Sequence, residues 1–124
     1  MENKSVKCGK LNISNTSPFT LIAGPCQLEN EKHALDVASE LKKITTKLGV
    51  GLIYKTSFDK ANRTSLKGKR GAGLDKSLPV FDKIRKELEI PILTDVHTID
   101  QCVTVSKHVD VLPVSYTHLT LPTN

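Results

Sequence analysis

Four short apolar runs alternating with segments of helical period constrain this chain more than any other feature. The runs occupy residues 19–24 (FTLIAG), 50–54 (VGLIY), 90–93 (IPIL) and 109–112 (VDVL). Each has the length and branched-residue content of a strand, and each is too apolar to leave a face in water. Between the first two, Asn30 is placed to cap a helix ending near Leu48, with Val37, Leu41, Ile44 and Leu48 along one face and Gly49 at the stop. Leu74, Leu78, Phe81, Ile84 and Leu88 mark a second helix, with Pro79 expected in its first turn. Ile99, Cys102, Val103 and Ser106 suggest a third. Strands buried on both faces and joined through helices imply a parallel sheet, either doubly wound or the first part of a (β/α)₈ barrel. A full barrel needs about 250 residues, and four strands are present at most. Ahead of them, residues 1–18 alternate weakly around Gly9 and are expected to form a hairpin.

Composition excludes several other classes. Leu, Ile, Val and Phe make up 36 of the 124 residues, well above the roughly one-fifth below which disorder is the default. No stretch approaches the ~18 uncharged apolar residues of a membrane span. The opening MENKSVKCGK has no apolar core of a secretory signal. Cys8, Cys26 and Cys102 are odd in number and far apart, which argues against a disulfide framework. The chain reads as soluble, reduced and cytoplasmic, with no membrane partner.

Parallel α/β sheets build their sites beyond the carboxyl ends of the strands. Here those ends carry Cys26 and Gln27, then Lys55, Thr56 and Ser57, then Thr94, Asp95 and His97. A thiol, an ammonium, a carboxylate and an imidazole are therefore expected on one rim. Taken alone, Cys26 reads either as a small buried hydrophobe or as one ligand of a metal site that needs three or four. Of Asp95 and His97, two residues apart, one is expected to face the site and the other to be free to point elsewhere. His97 suits a structural hydrogen bond as well as a functional role. Cys8, Cys102, His33 and His108 read as structural or exposed.

The net charge of +5 is concentrated in one place. Residues 55–70 hold Lys55, Lys60, Arg63, Lys67, Lys69 and Arg70 against the single acid Asp59. The segment 57–75 has neither helical nor strand period and exceeds the ~12–15 residues of an ordinary loop. Its cations suit phosphate, Arg as a planar fork and Lys as a point charge. Gly68, Gly71 and Gly73 would let backbone amides approach an anion. A solvated basic loop, or a small nucleic-acid-binding module, fits the same composition. The chain has no recognition-helix, zinc-finger or RNA-binding signature, and Phe58 is the loop's one aromatic. Lys67-Gly68-Lys69-Arg70 is not a P-loop.

Four segments, Gly24-Pro25-Cys26, Lys55 through Ser65 (KTSFDKANRTS), Arg70-Gly71-Ala72-Gly73-Leu74 and Thr94-Asp95-Val96-His97, occur in this order. Together they resemble the 3-deoxy-D-manno-octulosonate 8-phosphate synthases, from about Ser5 to Leu112. The G-P-C element alone is shared with 3-deoxy-arabino-heptulosonate 7-phosphate synthases, the alternative reading. Those relatives carry a K-P-R-T segment that this chain lacks. The resemblance implies a (β/α)₈ barrel condensing phosphoenolpyruvate with arabinose 5-phosphate and water, for lipopolysaccharide synthesis. It implies catalytic roles for Lys55, Lys60 and Asp95. Substrate binding would fall to Lys55, Lys60, Asn62, Arg63, Asp95 and His97, with Arg63 reaching a neighbouring subunit's site in a homo-oligomer, a tetramer in form. Cysteine in G-P-C marks the metal-dependent type, so Cys26 is implied as ligand of a divalent metal ion whose other ligands lie outside this chain.

Residues 19–112 are thus expected to form part of a barrel. Residues 113–124 depart from the family's pattern. Together with 111 and 112 they carry no Lys, Arg, Asp or Glu, an outcome with odds of about one in fifty at ordinary charge content. This tail reads as a truncation or assembly artefact, so His118 is not taken as a ligand. The fragment itself is expected to be inactive.

Overall fold

The computed structural model describes residues 2–58 and 73–113. A hairpin of β1 (Val6–Cys8) and β2 (Leu11–Ile13) comes first, its strands antiparallel around Gly9-Lys10. Gly9 makes the turn with φ +58°, a left-handed conformation that suits glycine. Three parallel strands follow in the order β3 (Thr20–Ala23), β4 (Gly51–Lys55) and β5 (Ile92–Leu93). The fourth apolar run adds one further parallel bridge, Leu93 to Val111. Strand order follows chain order without reversal, which the doubly wound alternative would require.

Helix α1 (Glu31–Leu48) connects β3 to β4. Asn30 caps it through Oδ1, which accepts the His33 amide at 2.8 Å. Gly49 ends it at φ +71°. Its Leu41 carries part of the core, but the fully buried positions are Ala34, Ala38 and Thr45. Ile44 and Leu48 stay 52% and 68% exposed. The small residues let α1 settle close to the sheet.

That next helix is α2 (Leu74–Leu88), packed beside α1. Lys42 of α1 donates to the Leu88 carbonyl at 2.5 Å, satisfying one of the orphan acceptors at the end of α2. Pro79 lies deeper in α2 than the sequence suggests. The helix starts at Leu74, so Pro79 sits in the second turn and the Asp75 carbonyl loses the amide that would have reached it. Helix α3 (Ile99–Val105) is short, capped by the Thr98 hydroxyl, and buries Val105 while Ile99 and Val103 face water.

Strand alternation divides the core. Leu52, Tyr54, Ile92 and Val96 pack with residues of α1 and α2, among them Ala34, Ala38, Phe81 and Ile84. Ile53 and Leu93 point the other way, against Cys8, Leu11 and Ile13 of the hairpin. Helices thus cover one face of the sheet, and the hairpin covers the amino-terminal part of the other. No described helix is long and apolar enough to cross a membrane.

Candidate active site

The carboxyl ends of the strands are held together by contacts that explain the local sequence. A Cβ on Gly24 would lie 1.8 Å from the Lys55 carbonyl oxygen, so only glycine permits β3 to end against β4. Three residues on, the chain pairs again: Gln27 bridges Ser57, and the Leu28 amide donates to the Ser57 carbonyl at 2.8 Å. Pro25 and Cys26 span the gap between these two anchors. Cys26 is exposed there, against the buried alternative for this thiol, whereas Cys8 is buried. Burial pushes the Cys8 thiol up from its ordinary range, with Asp110 adding to the effect.

The same alternation sorts the polar residues of the rim. Lys55 follows Ile53, and Asp95 and His97 follow Leu93, onto the face that bears the hairpin. Asp95 and His97 therefore share a side. Residues two apart in extended chain point the same way, and here Asp95 Oδ2 lies 3.4 Å from His97 Nε2. Asp95 Oδ1 is buried without a hydrogen-bond partner among the described residues. A buried carboxylate oxygen of this kind is left to be satisfied by a water, an ion or a ligand.

Thr56 and Thr94 leave the rim group. They fall in phase with Tyr54 and Val96, on the helix-facing side, and both are fully buried. Burial also drives the Tyr54 phenol far up from its ordinary range. Lys55 is exposed, and it forms no ion pair among the described residues. Lys60, Asn62 and Arg63 lie outside the described residues, as does His118.

Two neighbours of His97 were given no site role from the sequence. Phe58, fully buried, sets its ring edge-on to the imidazole, with centroids 6.3 Å apart at 63°. Gln101 Oε1 accepts the His97 amide at 2.8 Å. The signal for the second was present, since Thr98-Ile99-Asp100-Gln101 has the spacing of a capping box.

Among the described residues no three His, Cys, Asp or Glu side chains gather as a metal site. Cys26 offers one accessible sulfur donor, which by itself does not hold an ion. The DAHP synthetase I family matches residues 2–115. The chain belongs to this family.

Its curated relatives include the 2-dehydro-3-deoxyphosphooctonate aldolase of Mesorhizobium japonicum, 57% identical over 112 residues. Those of Brucella anthropi and Brucella ovis are 56% and 55% identical over the same length. Each comparison covers 90% of this chain and 40% of the relative. The chain thus spans about two-fifths of the length of the family members it matches.

Proposed function

We propose that this chain supplies the first four strand ends of a (β/α)₈ barrel, in a synthase joining phosphoenolpyruvate to D-arabinose 5-phosphate. The products are 3-deoxy-D-manno-octulosonate 8-phosphate and phosphate. The relatives' shared name supports this, and so do the sequential strand order and the helices gathered on one face of the sheet. The outer edge of β3 has no partner among the described residues, and Phe19 and Ile22 are 68% and 51% exposed. A barrel closes such an edge by bringing its last strand and helix against it.

The observation that carries the functional reading is the Asp95–His97 pair on the site face of the carboxyl rim, with Lys55 on the same face. Forming the eight-carbon acid requires a new bond between the enol methylene carbon and the aldehyde carbon. Water adds at the enol's substituted carbon, and phosphate leaves. Two phosphorylated anions must sit side by side, which calls for cations at the rim. We assign Lys55 and Lys60 to phosphoenolpyruvate and the reacting centre, and Asn62 and Arg63 to the sugar phosphate. Asp95, with its free buried oxygen, would hold the aldehyde or a sugar hydroxyl. His97, in contact with it, completes the substrate-binding set. In a tetramer, Arg63 would serve the neighbouring site.

The described residues offer a divalent ion one donor, the exposed Cys26 thiol, and the remaining ligands would come from the rest of the protein. Such an ion, when bound, polarises a water or a carbonyl oxygen. Saturating divalent metal should slow alkylation of Cys26 by iodoacetamide in the full-length protein, whereas buried Cys8 stays unmodified either way. Equal labelling of Cys26 with and without metal would reject its role as a ligand.

Turnover decides the reading. The full-length protein should release phosphate from phosphoenolpyruvate with arabinose 5-phosphate, and far more slowly with erythrose 4-phosphate. The 124-residue chain alone should be inactive. Preference for the four-carbon sugar would select the heptulosonate-type alternative, and no turnover with either would refute both.

A further inference from the structure

The cap of α3 is displaced by one residue toward the rim. In an ordinary capping box the side chain at the third helical position reaches back to the amide of the capping residue itself. Half of that arrangement is present, since the Thr98 hydroxyl accepts the Gln101 amide at 3.2 Å. The reciprocal bond goes elsewhere. Gln101 Oε1 passes over Thr98 and accepts the amide of His97 at 2.8 Å. A single glutamine thus ties the backbone of the rim histidine to the first turn of a helix.

The imidazole is fixed from two further sides. Its Nε2 lies 3.4 Å from Asp95 Oδ2, and the Phe58 ring meets it edge-on. Phe58 belongs to the chain leaving β4, whereas Gln101 belongs to α3, so His97 is clamped between neighbouring strand–helix units. We propose that Gln101 is a positioning residue that sets where the His97 imidazole stands at the rim. It acts through the His97 backbone, with Phe58 bracing the ring. This rests on the rim being the substrate site, and it adds a residue to which the reading above gives no role.

Two measurements on the full-length protein separate the inference from that reading. The first needs no substrate: the imidazole resonances of His97 in protein labelled at histidine. Gln101→Leu, which removes the acceptor but keeps the bulk, should shift them. Gln101→Glu, which keeps an acceptor oxygen at the same reach, should leave them near the wild-type position. The second is kinetic. Gln101→Leu should raise KM for a phosphorylated substrate by about tenfold, with kcat changed by no more than about twofold. Gln101→Glu should restore most of that loss. Asn30→Ala calibrates general destabilisation, because it removes the cap of a different helix, α1. It should lower Tm and leave both the His97 signals and KM unchanged. Unmoved His97 signals in Gln101→Leu, or a KM that follows Tm equally in Gln101→Leu and Asn30→Ala, would overturn the inference. A wild-type protein that turns over neither sugar while Gln101→Leu still moves the His97 signals would refute the substrate reading and leave the positioning role intact.

Discussion

The two ends of the sheet are built from similar residue types and use them in opposite ways. At the amino-terminal end, charges are answered where they stand. Lys10 of the hairpin meets Glu89 at 2.9 Å, Arg85 Nε meets Asp110 at 3.2 Å, and His108 meets Asp82 at 2.8 Å. A cleft of about 460 Å³ opens there, but most of the charges lining it are already paired with one another. At the carboxyl-terminal end, Lys55 has no counter-ion among the described residues, Cys26 is exposed, and Asp95 keeps a buried oxygen unsatisfied. Paired charge stabilises a fold, whereas a buried polar atom without a protein partner leaves room for a water, an ion or a ligand to satisfy it. The division agrees with the general placement of function at the carboxyl ends of parallel strands.

Three substitutions in the full-length protein probe that contrast, in descending order of effect. Gly24→Ala forces a methyl into the Lys55 carbonyl and should prise β3 from β4 at the rim. It should cost about 3 kcal/mol and abolish turnover, as read by chemical denaturation and a steady-state assay. A variant with wild-type stability would show that the strand ends are not in the close register described. Asp110→Asn, at the opposite end, weakens the acceptor that holds the Ile92 amide at 2.9 Å and unpairs Arg85. About 2 kcal/mol of stability should go, with KM values unchanged. A kinetic effect larger than the stability effect would erase the distinction between the ends.

Lys10→Ala should do least. The Lys10 ammonium holds the Glu89 carboxyl below its usual range. A depressed carboxyl stabilises the fold above its unfolded pKa, and that contribution fades as pH falls through the folded value. Both groups are exposed and screened, so the variant's Tm should sit barely below wild type at neutral pH and coincide with it in acid. A large difference at neutral pH would mean that the hairpin is fastened mainly by this pair and not by Cys8, Leu11 and Ile13.

Much of this was legible in the residues. Asn30 and Gly49 marked the ends of α1 because capping chemistry is local, and the glycine before Pro25 announced a strand end. The burial of α1 was not legible. Its apolar stripe is only half used: Val37 and Leu41 pack against the core while Ile44 and Leu48 are exposed, because helix–sheet distance favours small residues such as Ala34 and Ala38 at the contact. Pro79 misled in a similar way, since α2 starts at Leu74, after Gly73 at the cap position and five residues before the proline. At the rim, the sequence named the chemistry but not its pairing. The Asp95–His97 contact follows from strand alternation, and the reach of Gln101 depends on where α3 begins.

The basic segment after β4 carries the central claim, that its cations seat two phosphorylated substrates side by side. Replacing Lys60 and Arg63 by alanine, one at a time in the full-length protein, tests this most directly. Each variant should keep the wild-type Tm while kcat/KM with phosphoenolpyruvate and arabinose 5-phosphate falls by about a hundredfold or more. Affinity and turnover that both stay at wild-type levels would mean that these charges only keep a loop in water.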